Sequence, residues 1–193
     1  MAPSDFPPSA VRGVVGEVAG MLKEKKETIS VVETAAGGII SASLLATPGA
    51  SQFYKGGLTA STKAPPPKAL SDIRPSSQLY TLESRIAFAG WTQDSIKAYR
   101  GPTPDIVAGL AEHVRSTLGS TYTVCESGTA GPTGGQTRNR QPGYCALAVS
   151  CDKGTFTREI DTGLGGGRQA NMIRFAEEAL RFVGEVVRGE AKL

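Results

Sequence analysis

The sequence predicts an α/β domain in which helices cover both faces of a mixed sheet. Three observations lead there. A short β-branched run, Thr28-Ile-Ser-Val-Val32, feeds a small-residue turn and then a helix, which is half of a βαβ unit. Apolar segments with helical and strand periods alternate along the chain. Near the C-terminus, two strand-like runs flank Asp152-Lys153-Gly154, the pattern of a hairpin.

Each element follows in order. Val11, Val14, Val15, Val18 and Leu22 recur at helical spacing, predicting a helix from Ser9 to about Lys25. After the first strand, Glu33 to Gly38 turns into a helix that ends by Leu45, before Pro48-Gly49. Phe53 to Thr59 reads as a second strand. Residues 60 to 78 carry Pro65, Pro66, Pro67 and Pro75 without an apolar period, a composition that cannot continue a central strand. Leu79-Tyr80-Thr81 resumes strand character, and Leu82 to Ala89 reads as a short helix. Pro104 opens a helix through Ile106, Val107, Leu110, Val114 and Leu118 to Gly119. Tyr122 to Cys125 is a strand ending in the Gly-rich loop 127–135. Gly143–Ser150 and Thr155–Thr162 form the hairpin, and a final helix spans Arg168 to Val187.

Composition narrows the function. The 193 residues suit one domain, read here as 1–193, with no internal repeat. A net charge of +3 is spread along the chain, so neither nucleic acid nor a membrane surface is an expected partner. No apolar stretch approaches the ~20 residues of a membrane span. Met1 to Ala10 is polar and Pro-rich, unlike a signal peptide, and a cytoplasmic location is expected. Cys125, Cys145 and Cys151 lack metal-site spacing and read as buried free thiols; neither a metal nor another cofactor is expected.

Four segments in order resemble the CinA C-terminal-domain family. The family's A-E-S-C-T-G-G corresponds to Val32-Glu33-Thr34-Ala35-Ala36-Gly37-Gly38. Its G-G-V-V-A-Y-S-N-E-x-K is split here between Gly56-Gly57-Leu58-Thr59 and Leu79-Tyr80-Thr81-Leu82-Glu83-Ser84-Arg85. Its T-G-I-A-G-P-x-G-G corresponds to Ser127 through Gly135, and a Gly-Asp-Arg to Gly166-Gly167-Arg168. The wording of the first two segments is most similar to eukaryotic, fungal members. Residues 60–78 have no counterpart in the motif and read as a poorly ordered insertion.

The resemblance implies a three-layer α/β/α fold with a mixed sheet of about five strands. It also implies hydrolysis of the carboxamide of nicotinamide mononucleotide to nicotinate mononucleotide and ammonia, without metal. The ligand would be that mononucleotide; a homo-oligomer is compatible with this reading. By resemblance the catalytic positions are Thr34, Tyr80, Arg85 and Ser127, and the substrate-binding ones Glu33, Gly37, Gly38, Gly131, Gly134, Gly135 and Arg168.

The residue chemistry at these positions differs from the motif. Thr34 replaces a serine; its hydroxyl can attack a carbonyl given a base, and Thr is equally a favoured helix N-cap. Arg85 replaces a lysine and cannot take a proton near neutrality, although it can hold a phosphate; a solvated helix cation is the alternative. Tyr80 can stack on a ring or pack half-buried in a strand. Ser127 sits where backbone N–H groups can form an anion nest. Arg168 lies at a helix N-terminus that favours anions, and otherwise reads as a surface cation. Glu33 and Glu126 both end strands at the same sheet edge; paired carboxylates can serve acid–base chemistry, and Glu33 can instead fix backbone or ligand hydroxyls. His113 lies mid-helix and reads as structural. Weak hydrolysis is expected, raised by Thr34→Ser with Arg85→Lys. The alternative is a nucleotide-binding protein without turnover.

Overall fold

The computed structural model describes residues 5–60, 78–79, 86 and 90–192. The first helix, α1 (Ser9–Lys25), buries Val11, Val15, Val18 and Leu22, the stripe read from the sequence. It ends where Lys26 takes a left-handed conformation (φ 55°) and its N–H bonds back to the carbonyls of Leu22 and Lys23. The strands are β1 (Ile29–Glu33), β2 (Tyr54–Ala60), β3 (Gln78–Leu79), β4 (Tyr122–Gly128), β5 (Tyr144–Cys151) and β6 (Gly154–Asp161). The remaining helices are α2 (Ile39–Leu45), α3 (Gln93–Ala98), α4 (Pro104–Leu118) and α5 (Arg168–Arg188).

The strands form one sheet in the order β3-β2-β1-β4-β5-β6. β3, β2, β1 and β4 run parallel, whereas β4–β5 and β5–β6 are antiparallel. The mixed sheet is therefore the expected one, with the two-residue β3 as a short addition at its edge. Leu79 does not prolong β2 in line. It lies beside it, paired with Ala60 in parallel register, and a connection of this length is what a parallel crossover requires. The remainder of the expected 60–78 insertion lies outside the described residues, as do Tyr80 and Arg85.

The pleat divides the core into two layers. Val31 and Val124 face a cluster with α1 and α5, whose Phe175, Ala179, Leu180 and Val183 are fully buried. Val32 and Cys125, one residue on, face α4 through Val107, Leu110 and Val114. Alternate residues thus serve opposite faces, as a period of two demands, and the result is the α/β/α sandwich. All three cysteines are buried and outside any disulfide. α4 starts as its sequence suggests: the Thr103 hydroxyl accepts from the N–H of Ile106, Pro104 occupies the first turn, and Gly119 closes the helix in a left-handed conformation. α3 has no apolar stripe to announce it; Thr92 and Ser95 hold it by a reciprocal capping box.

β4 extends to Gly128, three residues beyond the expected Cys125, and its Glu126 and Ser127 are fully buried. Polar side chains are accommodated inside a central strand because each finds hydrogen-bond partners there.

Candidate active site

The site lies where β1 and β4, which are parallel neighbours, both end. The chain leaving β1 passes through 34–38 before α2 begins, and two buried glutamates hold that segment. Glu126 Oε1 accepts from the backbone N–H of Thr34 (3.2 Å), Ala35 (2.5 Å) and Ala36 (2.9 Å), and Oε2 also accepts from Ala36 (3.0 Å). Glu33 Oε2 accepts from Gly38 (3.0 Å) and Ile40 (2.9 Å), and its Oε1 from Ser41 (2.7 Å). Glu33 therefore anchors the N-terminus of α2 and is sealed from solvent. Of its two sequence-level tasks, backbone fixation is the one the fold displays.

Thr34 is not the helix N-cap. Gly38 occupies that position, in a left-handed conformation (φ 101°) that a glycine adopts without strain. Thr34 instead turns its hydroxyl inward, with Oγ1 3.3 Å from Glu126 Oε1 and 3.1 Å from Ser127 Oγ. A threonine hydroxyl has one proton to donate, so it serves one of these acceptors at a time. Burial pushes the Glu126 carboxyl up to about 7; the nearby Glu33 charge adds to this, while the N–H groups of Ala36, Ala35 and Thr34 work against it. Burial likewise raises Glu33, against the N–H groups it receives.

In front of Thr34 opens a cleft of about 370 Å³. Thr34 and Ala35 form part of its floor, the loop from Gly128 to Gly135 one wall, and Tyr99, Gly101 and Pro102 another. Arg140 and Arg168 are its only charged lining side chains among the described residues. Ser127 is fully buried, does not line the cleft, and its Oγ accepts from Thr34 Oγ1. Gly131, Gly134 and Gly135 do line it. Their lack of side chains is also a packing requirement: a Cβ on Gly134 would come within 2.5 Å of the Arg140 carbonyl oxygen. Gly37 and Gly38 shape the preceding turn instead and are not on the cleft wall.

Arg168, the first residue of α5, donates to the Gly131 carbonyl at 3.0 Å. Three residues on, the fully buried Asn171 joins the loops around the cleft. Its Nδ2 donates to the carbonyls of Ala130 (2.9 Å) and Gly165 (2.8 Å), and its Oδ1 accepts from Thr162 Oγ1 (2.5 Å). Sequence reasoning missed Asn171, Arg140 and the wall at Tyr99–Pro102. The Gly101-Pro102-Thr103 turn before a helix was the available signal for the last of these.

Fold and site together define an α/β/α domain with a polar, cationic cleft at parallel strand ends, where a hydroxyl rests on a buried carboxylate. The chain belongs to the CinA C-terminal domain family, whose model matches residues 12–65 and 67–187. It is similar to CinA-like proteins of Parasynechococcus marenigrum (30% identity, 85% of this chain and 35% of the relative) and Flavobacterium psychrophilum (24%, 84% and 34%). The chain thus spans about a third of the length of these curated relatives. Among solved structures, it resembles the competence/damage-inducible protein CihA of Agrobacterium tumefaciens with TM-score 0.77 at 16% identity, covering 96% of this chain and 99% of the other. A CinA-superfamily protein of Klebsiella pneumoniae gives 0.76 at 17% identity, covering 93% and 98%.

Proposed function

We propose that the cleft binds nicotinamide mononucleotide and hydrolyses its carboxamide, giving nicotinate mononucleotide and ammonia. One observation carries this reading: Thr34, which lines the cleft, has its Oγ1 3.3 Å from a carboxylate whose proton affinity burial has raised to about neutrality. A base with such a pKa is matched to removing a proton at pH 7. It substitutes for the lysine that the motif places at position 85.

In this reading Thr34 Oγ1 attacks the amide carbon as Glu126 takes its proton. The tetrahedral adduct collapses by breaking the C–N bond, and the leaving nitrogen takes the proton from Glu126 and departs as ammonia. Water then attacks the threonyl ester, giving a proton to Glu126, which returns it to Thr34 Oγ1 as the acid leaves. Ser127 orients the threonine throughout. The phosphate is held by Arg168 and the 128–135 loop, where a guanidinium lies next to a helix N-terminus.

A second reading rests on a different observation. The Glu126 oxygen that faces Thr34 already accepts three backbone N–H bonds, which lower its appetite for a proton. On this view the cleft binds the nucleotide without turnover. Ammonia release from nicotinamide mononucleotide, measured together with calorimetric binding, separates the two. Slow release that Thr34→Ala abolishes while binding survives supports the hydrolase. Binding without release in the unmodified protein supports the second reading, and hydrolysis that persists in Thr34→Ala removes Thr34 as nucleophile.

A further inference from the structure

We infer that Arg140 makes the cleft selective for a phosphomonoester over the unphosphorylated nucleoside, by sharing one phosphate with Arg168. The inference rests on the mononucleotide reading above and adds a residue to it. Arg138 and Arg140 lie on the same 3₁₀ turn, Arg138–Arg140, yet their situations differ. Arg138 is neutralised: it pairs with Glu159 at 3.0 Å and lies over the Tyr144 ring, 5.4 Å from its centroid. Arg140 has neither an ion pair nor a side-chain hydrogen bond among the described residues, and it lines the cleft.

The position of Arg140 is built by the cleft walls. A Cβ on Gly135 would lie 2.9 Å from both Cβ and Cδ of Arg140, and one on Gly101 3.2 Å from its Cγ and 3.3 Å from its Nε. Gly101 also has φ 108°, a conformation other residues adopt only with strain. The arginine stem thus lies against a glycine from each of two walls, while the residue stays exposed to solvent. The neighbouring Asn139 Nδ2 donates to the carbonyls of Arg100 (3.3 Å) and Pro102 (3.1 Å). Holding a long cation in this way reduces the rotamer freedom it would lose on gripping a ligand. No carboxylate lines the cleft among the described residues, so two arginines face a ligand without a competing anion. A phosphate dianion is the group that such a pair recognises best.

Calorimetry with three probes tests this: nicotinamide mononucleotide, nicotinamide riboside and inorganic phosphate, each against the unmodified protein, Arg140→Gln and Arg140→Lys. Arg140→Gln is expected to weaken the mononucleotide about tenfold, ~1.4 kcal/mol, to weaken phosphate as well, and to leave the riboside unchanged. Arg140→Lys, a point charge without the fork, recovers part of the loss. Equal losses for mononucleotide and riboside would show that Arg140 shapes the wall and would overturn the proposal, as would unchanged mononucleotide affinity. Arg140-dependent phosphate binding without mononucleotide binding would sink the nucleotide reading while leaving the arginine pair as an anion site. Absence of phosphate binding in the unmodified protein would overturn the pair itself.

Discussion

Thr34, Glu126 and Ser127 form a buried unit that meets the cleft through Thr34, and its behaviour is set by proton affinity. Glu126 holds a proton more tightly when folded, at about 7, than at its ordinary value of 4.5. Raised acid affinity favours the native state at low pH, and this contribution is lost as pH rises from about 4.5 to about 7. The melting temperature of the unmodified protein should therefore fall relative to that of Glu126→Gln across this window; a gap independent of pH would argue against the raised value. Hydrolysis should follow the opposite limb, rising through about pH 7 as the carboxylate becomes available. Thr34→Ser is expected to raise turnover, since it removes the methyl that restricts χ1 and crowds the line of attack. If Glu126 is the base, adding Arg85→Lys to it contributes little more. A gain well beyond additive, measured as ammonia release, would move the proton acceptor to position 85.

At the scale of elements, the cleft depends on how α5 meets two loops. Asn171 satisfies the carbonyls of Ala130 and Gly165 from the buried side of the helix. Asn171→Ala leaves both without that donor; for the buried Ala130 carbonyl this costs roughly 1–3 kcal/mol, while the exposed Gly165 is open to water. The variant should lower stability and weaken ligand binding together, read by thermal melts and calorimetry. Arg168→Ala differs, because its side chain is exposed and makes one backbone contact. A charge-assisted phosphate contact contributes ~1.5–3 kcal/mol, so this variant should bind the mononucleotide roughly ten- to a hundredfold more weakly with little change in melting. Unchanged affinity would remove Arg168 from the site.

Over the whole molecule, stability resides in the layer between the sheet and α1 with α5. Phe175, fully buried there, sits on the helix that carries Arg168 and Asn171. Phe175→Ala should cost ~3–5 kcal/mol by leaving a cavity, and at roughly 2–4 °C per kcal/mol for a chain of this size the melt should drop by about 10 °C. A loss of only a degree or two would mean that this layer is not the principal core.

Among the described residues, the sequence alone determined every strand and α-helix in order except α3, with the α1 and α4 stripes and the hairpin. These depend on local rules: a period of 3.6 or 2, Pro at a first turn, Gly at a last one. The same rules failed at Ser127-Gly128, which reads as loop although the chain there remains a central strand. Nothing local to β4 announces that backbone N–H groups from residues 34–36, some ninety positions away, will meet the Glu126 carboxylate. Whether Thr34 caps α2 was open for the same reason, and so was Glu33's commitment to α2. Arg138 and Arg140 are indistinguishable in sequence; only the fold sets one against Glu159 and the other against two glycines on the cleft. Pairing between distant segments is a property of tertiary packing, and it is there that the chemistry of this site is decided.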